Sequence, residues 1–229
     1  LSFPGIDSVP TGVVSSDETL LFVAADWWGL IIYDISEPEN ITPIGAYDGG
    51  GTALGLALSL DEKTVFVANR EGYQGQILDV TDPTNPSLLS TYDTFDLAKD
   101  VALSPDGKTL HIADSSILIN LDVSDPANPE ELGYSWLPHC ASLDNFVCGE
   151  PNSLVLSADG AIAYVESTKY GLVIADVSDL SSPKIISNLD LGTRQWAQGA
   201  SKVALSPDGT TIYLGANELG LMIIDVRDP

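Results

Sequence analysis

An all-β fold assembled from five repeated four-stranded units is predicted by three observations. One phrase recurs five times: Ile31-Ile32-Tyr33-Asp34-Ile35-Ser36-Glu37-Pro38, Ile77-Leu78-Asp79-Val80-Thr81-Asp82-Pro83, Asn120-Leu121-Asp122-Val123-Ser124-Asp125-Pro126, Val173-Ile174-Ala175-Asp176-Val177-Ser178-Asp179 and Ile223-Ile224-Asp225-Val226-Arg227-Asp228-Pro229. Its first Asp stands at 34, 79, 122, 176 and 225, in steps of 45, 43, 54 and 49. A second landmark keeps the same rhythm: Ser15/Asp17, Ser59/Asp61, Ser104/Asp106, Ser157/Asp159 and Ser206/Asp208 follow in steps of 44, 45, 53 and 49. Third, no segment sustains an apolar period near 3.6 residues, so helices should be few. Four short strands repeated every 40–50 residues or so are the pattern of β-propeller blades.

Each unit is read as four strands. An apolar run such as Val101-Ala102-Leu103 ends at the landmark Ser. A tight turn follows, as in Ser104-Pro105-Asp106-Gly107, where Pro presets φ and Gly accepts a positive φ. The second strand is β-branched and aromatic, as in Thr64-Val65-Phe66-Val67. The recurring phrase is the third. A Pro-rich turn such as Asp125-Pro126-Ala127-Asn128-Pro129 leads to the fourth, which closes on Tyr47-Asp48, Tyr92-Asp93 or Leu189-Asp190.

The five phrases resemble the LVIVD repeat, a propeller repeat of bacterial and archaeal proteins, many of them at the cell surface. The resemblance covers nearly the whole chain and implies the fold rather than an activity. Five blades of about 46 residues are expected in one domain. They run over residues 8–48, 52–93, 97–135, 151–190 and 200–229, the last completed by residues 1–7, with an insertion at 136–150. The ends suggest how the ring closes. The last unit stops at Asp228-Pro229, before a fourth strand, while Ile6-Asp7 matches the close of the other fourth strands. The N-terminal segment is therefore expected to complete the last blade and pair its open edge.

Composition excludes several classes. Hydrophobic residues make up 44% of the 229, too many for a disordered chain. No uncharged stretch approaches the roughly 20 residues that span a bilayer, so no membrane insertion is expected. With 33 acidic residues against 9 basic ones, the net charge of −24 argues against nucleic-acid phosphates or an anionic membrane surface as partners. Cys140 and Cys148 lie in the insertion and are placed for a local disulfide, which implies an oxidising compartment. An extracellular, periplasmic or cell-surface location is the corresponding expectation.

Propeller topology sorts the loops onto two ends. The Ser-x-Asp and Asp-Pro turns fall at one end, called lower here. The second-to-third loops and the blade connections fall at the upper end. There the sequence places Trp27, Trp28, Arg70, Tyr73, Trp136, His139, Lys169, Tyr170, Arg194 and Trp196, which include all four tryptophans. Tryptophan joins a large apolar area to a polar N–H and concentrates where ligands bind. Variable loops on a rigid repeat scaffold are the expected seat of function.

Counting back four residues from each landmark Ser gives Thr11, Gly55, Asp100, Ser153 and Lys202 on the inner strands. Asp100, Lys202, Asp96 and Glu150 are the candidates for an acid or base at the channel mouth, with a solvated ion pair as the alternative role. His111 occupies the second-strand position of Phe22, Phe66 and Tyr213 and is expected to pack between blades. No metal or other cofactor is implied. The Asp-rich turns offer carboxylates to Ca²⁺, but their repetition favours Asp capping its own backbone. No Ser-His-Asp set, phosphate loop or nucleotide fingerprint is present.

The residues favour a non-enzymatic binding module taking a carbohydrate, small-molecule or protein ligand on an aromatic and basic upper face. One alternative is a hydrolase or lyase of the glycosidase type with carboxylates at the channel mouth. A second is a structural or interaction domain of a larger surface protein. The chain is expected as a monomer or as part of a larger protein.

Overall fold

The computed structural model describes residues 11–70, 74–138, 151–167, 171–190, 202–215 and 220–227. Blade 1 is β1 (Thr11–Val14), β2 (Leu20–Ala24), β3 (Leu30–Asp34) and β4 (Thr42–Tyr47). Blade 2 is β5 (Ala53–Leu58), β6 (Thr64–Asn69), β7 (Gln74–Asp79) and β8 (Ser87–Asp93). Blade 3 is β9 (Ala98–Leu103), β10 (Thr109–Asp114), β11 (Ile117–Asp122) and β12 (Glu130–Trp136). Blade 4 is β13 (Pro151–Leu156), β14 (Ile162–Ser167), β15 (Gly171–Asp176) and β16 (Lys184–Leu189). Blade 5 contributes β17 (Val203–Leu205), β18 (Thr211–Gly215) and β19 (Leu221–Asp225). Strands pair antiparallel in chain order within each blade. The inner strands of blades 1 to 5 follow one another side by side. Lys202 Nζ donates to Thr11 Oγ1 at 2.7 Å, joining the inner rim of blade 5 to that of blade 1. The result is a five-bladed β-propeller, with no helix among the described residues. The expected N-terminal outer strand at 1–7 and the Cys140–Cys148 disulfide lie outside the described residues.

The Ser-x-Asp landmark makes the first turn of every blade. In blade 3, Ser104 Oγ donates to Asp106 Oδ1 at 2.6 Å and accepts the Thr109 amide at 2.9 Å, while Lys108 N reaches Asp106 Oδ1 at 3.1 Å. The same serine-to-aspartate bond stands at Ser15–Asp17, Ser59–Asp61, Ser157–Asp159 and Ser206–Asp208. Gly107 closes this turn at φ 74°. Blades 1 and 2 hold Glu18 and Glu62 there at φ 58° and 59°, a left-handed conformation that costs a side-chain-bearing residue free energy. The first Asp of the recurring phrase works alike, with Asp34, Asp79, Asp122 and Asp176 accepting the amide two residues on.

The core lies between blades. Phe22, Leu30 and Ile32 of blade 1 bury against Leu56, Val65 and Val67 of blade 2. Phe66 and Ile77 of blade 2 meet Val101, Leu110 and Ile112 of blade 3. Two further apolar layers join blade 3 to blade 4 and blade 4 to blade 5. His111 is such a packing residue. It is buried, its Nδ1 donates to Asn120 Oδ1 at 2.9 Å, and burial holds it below its ordinary pKa. Asn120 Nδ2 then donates to Leu180 O of blade 4 at 2.9 Å.

A bulge recurs where the fourth strand joins the third. In blades 1 to 3 it sets one residue of the outer strand against the third-to-fourth turn of the next blade. Ser90 Oγ uses that approach to donate to Pro126 O at 2.6 Å. At the matching position of blade 3, Gly133 is so close that a Cβ would lie 2.5 Å from Ser181 O. Gly133→Ala is expected to cost about 1–3 kcal/mol through forced separation of blades 3 and 4, read as a lower urea midpoint.

Candidate functional site

The five residues four places before the landmark serines come together around the channel. A bulge recurs here too, with Leu54, Lys99 and Asn152 as the extra residues just before Gly55, Asp100 and Ser153. Asp100 is buried and spans three blades. Its Oδ1 accepts Val101 N at 3.1 Å, its Oδ2 accepts Leu154 N of blade 4 at 3.1 Å, and the Ser153 hydroxyl adds a bond. Lys202 Nζ of blade 5 lies 3.7 Å from Asp100 Oδ2. On the blade 2 side a Cβ on Gly55 would come within 2.3 Å of Asp100 Oδ1, so a glycine leaves room for the carboxylate. The girdle therefore runs Thr11–Lys202–Asp100–Ser153, with Gly55 as the gap.

Burial raises the Asp100 carboxyl above the ordinary carboxylate range, while the Lys202 charge and the two amides oppose that rise. Both oxygens are committed to groups of the ring itself. Next to Ser153 across the strands stands Glu166, also buried, whose Oε2 accepts Asn152 Nδ2 at 3.1 Å. No motif in the sequence singles out Glu166.

At the upper end Trp27 and Trp28 sit on a turn that leaves them 69% and 43% exposed. The turn is stiff. Trp28 N donates to Ala25 O, Gly29 N to Asp26 O and Ala25 N to Gly29 O, at 2.8 to 3.1 Å. Asp26 exchanges two backbone bonds with Ala53 of blade 2, at 3.1 and 3.0 Å. Asp26 and Gly29 both hold a positive φ, 56° and 70°, and a Cβ on Gly29 would fall 2.2 Å from Tyr47 O. Arg70 lies exposed on the next loop, its amide bonded to Thr52 O at 3.0 Å. The connection into blade 2 is pinned by Gln76, whose Nε2 donates to Gly49 O at 3.0 Å.

A second aromatic group stands at blade 3. Phe95 and Tyr134, both exposed, have ring centroids 5.0 Å apart, and Tyr134 meets Trp136 edge-on at 6.3 Å. Trp136 is half-buried and packs on the apolar layers either side of blade 3, so its ring is largely structural. Asp114 secures this shelf from below. It is fully buried, and its Oδ2 accepts the amides of Phe95 and Asp96 at 2.9 and 2.8 Å. Burial pushes its carboxyl up to about 6, helped by the Asp96 charge and opposed by those amides. Asp96 joins the latch through its backbone, its carbonyl accepting Thr94 Oγ1 at 2.9 Å. Tyr73, His139, Glu150, Lys169, Tyr170, Arg194 and Trp196 lie outside the described residues.

Five blades around a polar girdle, with repeated turns below and irregular aromatic loops above, define a five-bladed β-propeller. The chain belongs to the LVIVD repeat family, whose repeat matches residues 14–49, 50–94, 97–134 and 153–190. Among solved structures it is similar to the Pseudomonas aeruginosa periplasmic gluconolactonase PpgL, at 15% identity over 96% of this chain and 66% of that one, with a TM-score of 0.75. A Lactobacillus plantarum protein matches at 17% identity over 90% of this chain and 63% of its own, with a TM-score of 0.71. A putative 6-phosphogluconolactonase from Bacteroides fragilis NCTC 9343 matches at 11% identity over 93% and 68%, with a TM-score of 0.68. Likeness at these identities shows the fold. The chain spans less than two thirds of the length of the first two. A search of curated proteins finds no match.

Two expectations follow. Lys202→Met leaves the buried Asp100 carboxylate without its cation and should cost about 1–2 kcal/mol, discounted because the ammonium is partly solvated. Adding Asp100→Asn should return much of that loss in a double-mutant cycle by denaturant unfolding. Asp114 has a folded pKa of about 6 against an ordinary 3.8, so the fold favours its protonated form. Its ionisation penalty is absent below about pH 4, grows to pH 6 and is complete above. Relative to Asp114→Asn, the wild type should therefore lose up to about 3 kcal/mol between pH 4 and pH 7, measured as the difference in their unfolding free energies.

Proposed function

We propose that this chain is a non-enzymatic binding module that acts at the cell surface, in the periplasm or outside the cell, and takes its ligand on the upper face. The carrying observation is the Asp26–Gly29 turn, which holds two adjacent indoles toward solvent on a backbone fixed to two blades. Exposing large apolar rings on a rigid support is costly unless something covers them. The stiffness also lowers the entropy lost on binding. Asp26 precedes these rings in the chain, the Asp48 backbone lies against Gly29 after them, and Arg70 stands on the neighbouring loop, so hydroxyl-bonding groups accompany the stacking surfaces. That combination suits the C–H faces and hydroxyls of a saccharide. The description of one structural neighbour as periplasmic is consistent with the location proposed.

Two neighbours are described as a gluconolactonase and a putative 6-phosphogluconolactonase, which supports a hydrolase reading only through the shared architecture. Asp100 is the described acid at the channel, and the engagement of both its oxygens with backbone amides supports a ring-organising role instead.

Titration of intrinsic tryptophan fluorescence with a panel of soluble oligosaccharides tests the binding reading. A responding sugar should lose about tenfold in affinity, ~1.4 kcal/mol, in Trp27→Ala and in Trp28→Ala, with no change in Tm. Unaltered affinity in both variants, or silence across the panel, would remove the saccharide assignment.

A further inference from the structure

The outer rim of blades 1 to 4 is made of fourth strands, each the edge of its sheet. Alternate N–H and C=O groups of an edge strand face outward, ready to pair with any further strand. Folded proteins block such edges with Pro or with charge, Lys above all. Blades 1, 3 and 4 follow that rule. β4 holds Pro43, β12 opens on Glu130 and Glu131, and β16 opens on Lys184. Blade 2 does not. Its β8 runs Ser87-Leu88-Leu89-Ser90-Thr91-Tyr92 before the first charge at Asp93, with no Pro or Gly. An uncharged run of that make-up is one that takes up strand pairing readily. Leu88 and Leu89 are 47% and 41% exposed on it.

The edge is also held in place from behind. Tyr92 Oη donates to Val67 O at 2.9 Å, and Ser90 Oγ donates to Pro126 O of blade 3 at 2.6 Å. A strand fixed in this way loses little freedom when another joins it. Charge says what fits. Residues 71–98 contain five acids and no Lys or Arg, and residues 109–168, which include the blade 3 turn against Ser90, contain no Lys or Arg either. Asp82 ahead of β8, Asp93 at its end and Asp125 beside Pro126 are all exposed. A second copy of a chain with net charge −24 would meet this edge with like charge. We infer that the edge of β8 is a docking surface for an extended basic segment of another protein, which joins blade 2 as a fifth strand. The backbone of that segment pairs with the outward groups of β8. Its apolar or β-branched side chains cover Leu88, Leu89 and Thr91, and its Lys or Arg residues meet Asp82, Asp93 and Asp125. The surface lies on the outer rim rather than on the upper loops that carry Trp27 and Trp28, and it does not rest on the saccharide reading.

The probe is a capped peptide, Lys-Val-Thr-Val-Thr-Val-Lys, matched to the seven residues of β8, with a Glu-ended counterpart as the charge control. With the basic peptide in excess, hydrogen exchange of the β8 amides should slow by roughly threefold or more, and the Glu-ended peptide should bind about tenfold more weakly. Leu89→Lys puts a like charge on the exposed edge and should cut affinity for the basic peptide about tenfold without lowering Tm, whereas Ile186→Lys, on the edge of blade 4, should leave that affinity unchanged. Unslowed exchange in β8, equal binding of the two peptides, or equal losses in the two variants would overturn the proposal. So would a dimer of the chain that Leu89→Lys disperses, since a second copy would then be the occupant.

Discussion

A blade of this protein is a thin sheet that is apolar on both sides, and a sheet of that kind is stable only when another sheet lies about 10 Å from each of its faces. The requirement for two neighbours organises everything else. It drives the five units to stand around one axis, so that each sheet from blade 1 to blade 5 packs against the next. It confines the chain's freedom to the two ends of the strands, where loops meet water. Near the axis the strands crowd, and the inner positions there are small or polar: Thr11, Gly55, Asp100, Ser153 and Lys202.

The two ends solve their backbone accounting differently. Below, each turn supplies its own acceptors. Asp17, Asp61, Asp106, Asp159 and Asp208 take serine hydroxyls and nearby amides, and those bonds hold their carboxyls below the ordinary range. The support they give is present above the ordinary carboxylate pKa near 4 and fades as pH falls through their lowered values. Above, the connections are tied by residues at the ends of second strands. Asp114 holds Phe95 and Asp96, and a Cβ on Gly51 would strike Asn69, which lies at the same place in blade 2. Acid therefore loosens the lower end while relieving the charge buried under the upper one.

The architecture was legible because it is written as repetition. The Asp phrase fixes the third strands, the Ser-x-Asp pair fixes the first turns, and strand alternation then places Asp100 and Lys202 on one channel. The cross-blade details were not legible. A bulge at Lys99 or Asn152 leaves no local signature, yet it sets the aim of Asp100 and Ser153. Glu166 reads as an ordinary polar residue until its strand pairs with Ser153. Trp136 shares the upper end with Trp27, but only the three-dimensional packing separates a ring wedged beside two apolar layers from one left in solvent. Tyr134 gains meaning only from Phe95, 39 residues earlier.

The lower turns also bear on how the molecule ages. Three of them contain an Asp-Gly step, at 106–107, 159–160 and 208–209, the aspartyl step most prone to cyclise to a succinimide and re-open as isoaspartate. That reaction needs the glycine nitrogen to attack the aspartyl carbon. Here each such nitrogen donates at 2.9 Å to the carbonyl of the landmark serine, while the carboxylate is drawn away toward the serine hydroxyl. The motif that shapes the corner thus also shields its own weakest covalent link, and chemical wear at these steps becomes a reporter of how long the corner stays folded.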